Sequence, residues 1–203
     1  MDLKSTFIKD LQEFRNLESI VNSIFYTDRQ LPEQVFRKDF GNYVFEEFDL
    51  AMSDKFWDTI QILARQAQDD YILCAVLNPH PLEYYYKEFG YFNWVKLPLN
   101  LTADEYLDIL NIEPDSSSAD SITTNSFTIV WLSPSMKWAI WGDRNDEVCV
   151  LAFKDQSNVS EILPQLRTWR FVEDEAVSDW IGMGFRRFTI PKEIADALKN
   201  NYR

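Results

Sequence analysis

Histidine, cysteine and glycine are scarce in this chain of 203 residues, and their scarcity excludes several kinds of site. The chain has one histidine, two cysteines and five glycines. One histidine and two cysteines cannot supply the ligands of an ordinary zinc site. The phosphate-binding patterns G-x-G-x-x-G and G-x-x-x-x-G-K-[ST] are absent, as is the G-x-S-x-G pattern of serine hydrolases. The sequence therefore predicts no cofactor and none of these common catalytic centres.

The single histidine, His80, lies between Pro79 and Pro81. As a functional residue it would serve as a proton shuttle or as the base of a Ser-His-Asp triad. A proline biases the residue before it toward extended backbone, so the chain is restricted at this point. We therefore interpret His80 as a turn residue.

Positive charges are few relative to negative ones. The chain has 20 lysine and arginine residues against 33 aspartate and glutamate residues, which gives a net charge of −13. This charge repels the phosphates of nucleic acids and of anionic lipids, so neither a nucleic acid nor a membrane is expected as a partner. A basic protein is the partner that the charge favours. The simpler alternative is that the acidity only maintains solubility.

Long apolar runs are absent as well. No run approaches the roughly 18 residues of a membrane-spanning helix, and the segment 1–14 has no uninterrupted apolar stretch typical of a secretory signal. Cys74 and Cys149 each lie in an apolar run, where a free cysteine behaves as a small hydrophobic side chain. We therefore expect a cytoplasmic protein with both cysteines reduced.

The composition of the chain is that of a globular protein, with 46% apolar and 15% aromatic residues. At this length we expect a single domain over residues 1–203. The segment 114–121, PDSSSADS, has almost nothing to bury. We predict a mobile loop at 113–125, which is also the best candidate for a domain boundary if one exists.

The segment 126–154 predicts three strands joined by two tight turns. The runs 127–132, 138–142 and 147–153 are rich in β-branched and aromatic residues, and Pro, Gly, Asn and Asp separate them. Short connections favour antiparallel neighbours. The last run is apolar on both faces, which indicates a central strand covered by helices on each side.

Strand and helix patterns also occur in the rest of the chain. Strands are also predicted at 43–50, 71–77 and 91–97. Helices are predicted over 5–25 with Ser5 as N-cap, from Ser53 to Asp70, over 102–110, 159–166 and 173–183, and after Pro191. The combination predicts an α+β fold, a mostly antiparallel sheet with helices packed on its faces.

Carboxylates cluster at two places that can meet a basic partner. One group flanks Arg144 in the turn between the last two strands, and the other lies at 46–49. Three consecutive tyrosines cannot all face one core, so at least one is predicted to be exposed as an interface anchor. The candidate partner-binding residues are Asp143, Arg144, Asp146, Glu147, Glu46, Glu47, Asp49, Tyr84, Tyr85 and Tyr86. The turn lacks the spacing of a calcium loop, so no metal is predicted there.

The residues 138–144, WAIWGDR, followed by Glu147 and by 150–152, VLA, resemble a pattern of small bacterial immunity-type and uncharacterised globular proteins. In that pattern a Trp-rich strand enters a Gly-Asp/Glu-Arg turn and leaves through an apolar strand. The resemblance covers this hairpin. It implies an α+β domain without catalytic residues that binds another protein, often a toxin.

We therefore expect a non-catalytic protein-binding domain, an immunity-type inhibitor of a basic toxin or of another basic protein. One alternative is a carboxylate-based hydrolase that uses a pair such as Glu46 and Asp49, which requires a deep pocket lined by two carboxylates. Another is a structural or scaffold component, which requires an extensive apolar patch or a constitutive oligomer. The sequence leaves the partner's identity and the oligomeric state open.

Overall fold

The computed structural model describes residues 3–37, 40–154 and 163–203. Within them, six strands form one sheet in which every neighbouring pair is antiparallel. The strands are β1 (Gly41–Glu47), β2 (Tyr71–Asn78), β3 (Trp94–Pro98), β4 (Thr128–Leu132), β5 (Trp138–Asp143) and β6 (Val148–Lys154). Their order across the sheet is β1-β6-β5-β4-β2-β3. The predicted α+β fold with a mostly antiparallel sheet is confirmed.

Seven α-helices occur within the described residues. They are α1 (Leu11–Ile24), α2 (Phe48–Ala51), α3 (Asp54–Ala67), α4 (Lys87–Phe89), α5 (Ala103–Leu110), α6 (Glu175–Gly182) and α7 (Lys192–Asn201). A π-helical turn, Pro81–Tyr86, leads directly into α4.

Side chains alternate between the two faces of the sheet, and both faces are buried. In β6, Cys149 and Leu151 lie on the first face, and Val148 and Val150 lie on the second. Side chains of α2, α3 and α5 form the first-face core, and side chains of α1, α6 and α7 join the second-face core. The prediction of a central strand buried on both sides is confirmed, since β6 lies between β1 and β5.

The helical pattern that predicts α3 is confirmed. The buried apolar residues of α3 are Phe56, Trp57, Ile60, Leu63, Ala64 and Ala67. The indole N–H of Trp57 donates to the carbonyl of Leu101 at 2.8 Å, and its ring stacks on Tyr106 of α5 with centroids 5.1 Å apart. Each large apolar side chain buried in this way contributes about 1.5–3 kcal/mol. The helix predicted over 102–110 is also present as α5, and it begins with a capping box between Thr102 and Glu105.

The first helix begins later than predicted. Its N-cap is Asp10, whose carboxylate accepts a hydrogen bond from the N–H of Glu13 at 2.7 Å, and not Ser5. The reason is that the apolar residues before Asp10 belong to the sheet. Phe7 forms a β-bridge to the edge strand β3 and packs in the first-face core, whereas Phe14 packs in the second-face core. The chain therefore passes the edge of the sheet before α1 begins.

Three other predicted segments differ from the structure. The strand predicted at 43–50 ends at Glu47, because the ladder to β6 ends there and the chain turns into α2. The strand predicted at 91–97 begins only at Trp94. Half of the element predicted at 159–166 lies outside the described residues, and the described half contains a 3₁₀ turn, Leu163–Gln165.

The segment 113–125 forms two short 3₁₀ turns and makes contacts with the body of the protein. Ile122 enters the first-face core. The carboxylate of Asp120 accepts hydrogen bonds from Tyr84, Ser117 and Asn125. The expectation that residues 114–121 have almost nothing to bury is wrong for Asp120, which is buried. The mobility of the loop and its role as a domain boundary stay predictions.

The two cysteines are where the apolar context of their sequence predicts. Cys74 and Cys149 are free and buried, and both lie in the first-face core. Among the helices of the described residues, none is both long and apolar enough to cross a bilayer.

Candidate functional site

The two predicted acidic groups meet at one corner of the sheet. β1 and β6 are paired so that Glu47 lies opposite Val148. The N–H of Phe48 then donates to the carbonyl of Glu147 at 2.9 Å. This register places the end of β1 beside the turn that joins β5 to β6. The acidic corner consists of Glu46, Glu47, Asp49, Asp143, Asp146 and Glu147.

Exposure divides these carboxylates into two sets. The exposed or half-buried ones are Asp49, Glu47, Asp146 and Glu147. Glu46 and Asp143 are buried, with 2% and 3% of their surface exposed. Glu46 and Asp143, two of the predicted partner-binding residues, therefore do not present their carboxylates on the surface. The reason is that each lies on a covered face of the sheet, Glu46 opposite Cys149 on the first face and Asp143 opposite Val148 on the second.

Asp143 shapes the turn that carries the second acidic group. Its Oδ1 accepts hydrogen bonds from the N–H groups of Asn145 at 3.0 Å and of Asp146 at 3.4 Å. Gly184, between α6 and α7, lies so close that a Cβ there would be 3.1 Å from the carbonyl oxygen of Asn145. The turn is thus held by its own side chain and by the α6–α7 connection.

Arg144 is occupied by the neighbouring loop. Its Nε and Nη2 donate to the carbonyls of Ser126 at 2.9 Å and Thr123 at 2.7 Å. Its guanidinium carbon lies 4.7 Å from the ring centroid of Phe48. Within the described residues Arg144 forms no ion pair with a carboxylate. These contacts tie the hairpin to the residues before β4, which is a structural role.

Burial raises the pKa of four carboxyl groups in the acidic corner. The pKa of Asp146 rises to about 7, because burial disfavours the charged form and because the charge of Asp143 lies nearby. Burial raises the pKa of Asp143 as well, although its two turn hydrogen bonds oppose the rise. The pKa values of Glu46 and Glu147 are also raised, mainly by burial. At neutral pH, Asp146 therefore carries less negative charge than an ordinary carboxylate.

The three tyrosines occupy three different environments. Tyr84 is 41% exposed, and its hydroxyl donates to the carboxylate of Asp120 at 2.7 Å. Tyr85 is buried and donates to the carbonyl of Asp120 at 3.1 Å. Tyr86 is half-buried and stacks on Phe92 with ring centroids 4.5 Å apart. The prediction of at least one exposed tyrosine is confirmed by Tyr84, while Tyr85 is a core residue.

Sequence reasoning missed a cleft on the second face. It has a volume of about 440 Å³ and lies between the connection after α1 and the ends of β2, β4 and β5. Its wall includes Asp28, Arg29, Glu33, Asn78, His80 and Trp141. No signal in the sequence points to this cleft, since its residues come from three distant segments that only the strand order brings together.

His80 has a turn role and also lines the cleft. Its Nδ1 accepts hydrogen bonds from the N–H groups of Leu82 and Glu83, both at 3.2 Å, and so caps the π-helical turn. The interpretation of His80 as a turn residue is confirmed. Because Nδ1 is an acceptor, the neutral imidazole carries its proton on Nε2, which leaves Nε2–H as a donor for a ligand.

The carboxylate pair of the hydrolase alternative does not line this cleft. Glu46 is buried on the first face beside Cys149 of β6, and Asp49 is exposed at the acidic corner. The two carboxylates in the cleft wall are instead Asp28 and Glu33. The part of the chain that the structure describes contains no group of three side chains that could hold a metal ion.

No protein-family model, curated protein or solved structure matches this chain. The proposed function therefore rests on the sequence and geometry of this molecule alone.

Proposed function

We propose that this chain is a non-catalytic protein-binding domain whose acidic corner receives a basic protein, as an immunity-type inhibitor receives a basic toxin. The observation that carries the proposal is the register of β1 against β6, which joins two acidic groups into one surface. Asp49 is exposed in that surface, and Glu47, Asp146 and Glu147 are half-buried. Asp146 contributes less negative charge at neutral pH, because its pKa is raised to about 7.

The carboxylates of this surface are not held in ion pairs by any described residue, although the charge of Arg144 acts on Asp49 and Glu147 from nearby. Glu47, Asp49 and Glu147 form no ion pair within the described residues. The one arginine of the hairpin, Arg144, donates to backbone carbonyls instead. The net charge of −13 adds a long-range field of the same sign. Such a surface attracts a basic partner and accelerates its association.

The test begins with affinity capture from native lysate and with identification of the adjacent genes. The association rate of the captured partner is then measured for two triple variants. The first, E47Q/D49N/E147Q, neutralises the acidic corner. The second, D58N/D108N/D196N, removes the same charge from exposed positions on α3, α5 and α7.

We expect the corner variant to associate about tenfold more slowly or worse, and the control variant to change much less, because steering depends on local charge. Raising the salt concentration from about 50 to about 500 mM should slow the unmodified protein, since the Debye length falls well below about 10 Å. The proposal is contradicted if capture returns only acidic partners, or if the two triple variants associate equally fast.

A further inference from the structure

The cleft at His80 has the dimensions and the position of a ligand site. Its volume of about 440 Å³ lies within the range of small-molecule sites. A second cleft of about 190 Å³ adjoins it, because Thr27, Leu77 and His80 line both. The two clefts form the larger and the smaller lobe of one site. Trp141 lines the larger lobe, and Trp94 lines the smaller lobe.

The charges of the larger lobe favour a cation. Asp28 and Glu33 are exposed and form no ion pair within the described residues. The opposing charge, Arg29, is held against the protein. Its guanidinium carbon lies 3.6 Å from the ring centroid of Tyr26, and its Nη1 donates to the carbonyl of Gln34 at 3.1 Å. Two carboxylates therefore remain free to pair with a ligand.

The same wall also offers a hydrogen-bond donor. His80 has its Nε2–H free, because its Nδ1 accepts two backbone N–H groups. Trp141 lines the wall as well, but its indole nitrogen has almost no accessible surface and is out of reach of a ligand in the cleft. The ligand should thus carry an acceptor oxygen near its positive group.

We propose that this cleft binds an organic cation, a guanidinium or ammonium group that stands close to a carbonyl or carboxylate oxygen. The cation pairs with Asp28 and Glu33, and the oxygen accepts a hydrogen bond from the Nε2–H of His80. A metal ion is not the ligand that the wall suits, since the described residues bring no three metal-ligating side chains together. This site shares no residue with the acidic corner and does not depend on the proposed function.

Two sources have this chemistry, a free amino acid and a basic residue within a chain. The probes are free L-arginine for the first and N-acetyl-L-arginine amide for the second. N-acetyl-L-citrulline amide is the control, because it has nearly the same shape as the second probe and no charge. Each is titrated to about 20 mM, the range in which weak sites saturate, at constant ionic strength into the full chain labelled with ¹⁵N.

The measurement follows the indole N–H signal of Trp141, assigned with the variant W141F. We expect a saturable shift of this signal with at least one arginine probe and none with the citrulline amide. The variant D28N/E33Q should weaken binding about tenfold or more, because both attracting charges are gone. The control D58N/D196N removes the same charge elsewhere and should bind like the unmodified protein.

Among the two arginine probes, the one that binds more tightly identifies the source of the ligand, and either result supports the site. Three results would overturn it: no saturable shift with either arginine probe, an equal shift with the citrulline amide, or equal affinity in D28N/E33Q and D58N/D196N. The acidic corner variant E47Q/D49N/E147Q should leave this binding unchanged. The failure of the cleft can therefore be told apart from the failure of the proposed function.

Discussion

Trp141 belongs to the second-face core and is only 1% exposed, as its position in an apolar hairpin predicts. Its ring centroid lies 5.7 Å from that of Phe25, just beyond the end of α1. Replacing Trp141 by alanine leaves a large cavity between the sheet and the helix layer. We expect W141A to lower the free energy of unfolding by about 3–5 kcal/mol.

Urea melts of W141A and of the unmodified protein measure this loss. The matched control is F171A, because Phe171 is aromatic but 52% exposed and should lose far less. Equal midpoints for W141A and the unmodified protein would mean that the indole contributes nothing to the core.

Asp146 makes stability depend on pH. Its pKa is about 7 in the folded protein and near 3.8 in the unfolded chain. The folded state therefore binds the proton more tightly, and its stability falls as the pH rises from about 4 to about 7. D146N removes this loss, so we expect it to stabilise the protein at pH 8 by about 1–4 kcal/mol and by less at pH 5.

Urea unfolding of D146N at pH 5 and pH 8 checks the direction of this effect. D196N, which makes the same change of charge at an exposed position of α7, is the control. A stabilisation that is the same at both pH values would rule out the titration of Asp146 as its cause.

At the scale of the element, the two N-caps of α3 and α5 differ in a way that can be measured. Thr102 accepts a hydrogen bond from the N–H of Glu105 at 3.1 Å, and Glu105 accepts one from the N–H of Thr102 at 2.8 Å. Ser53, at the start of α3, makes no such bond and donates to the carbonyl of Leu50 instead. We expect T102A to cost about 1 kcal/mol and S53A to cost less.

Chemical denaturation of T102A and S53A under the same conditions measures the loss in free energy of unfolding for each variant. The comparison removes the effect of helix propensity, since each variant introduces alanine at an N-cap. The prediction is contradicted if S53A loses more free energy of unfolding than T102A.

At the scale of the whole molecule, the last residues of the chain close the second face. The hydroxyl of Tyr202 accepts a hydrogen bond from the N–H of Val35 at 3.0 Å and donates to the carbonyl of Glu33. The ring packs at right angles to Tyr43 with centroids 5.4 Å apart. α7 is thereby attached to the connection between α1 and β1, which also carries part of the cleft wall.

Y202F should lower the free energy of unfolding by about 1–3 kcal/mol, because it leaves the buried N–H of Val35 without its acceptor. Y84F is the control, since the hydroxyl of Tyr84 also makes a hydrogen bond but on a ring that is 41% exposed, where water can replace it. Thermal or urea melts measure the free energy of unfolding of both variants. Similar decreases for Y202F and Y84F would show that burial of the hydrogen bond does not matter.

The sequence by itself determined the class of the fold, because its evidence is local. β-branched and aromatic runs broken by turn residues predicted all six strands, and helical spacing of apolar residues predicted the buried side of α3. The capping box at Thr102 needs only residues three positions apart. Two predicted boundaries were wrong because contacts with distant residues decide them. Phe7 pairs with β3 and so lies before the helix, and the ladder between β1 and β6 ends before Phe48.

Only the tertiary structure brought together the residues of the two candidate sites. The strand order puts β1 beside β6, and this single pairing turns two separate acidic groups into one corner and buries Glu46 within it. The same order places His80 and Trp141 around one cleft with residues that follow α1. Strand pairing joins segments about a hundred residues apart, and the burial of a side chain depends on the elements that cover it. A local pattern in the sequence therefore predicts neither the acidic corner nor the cleft.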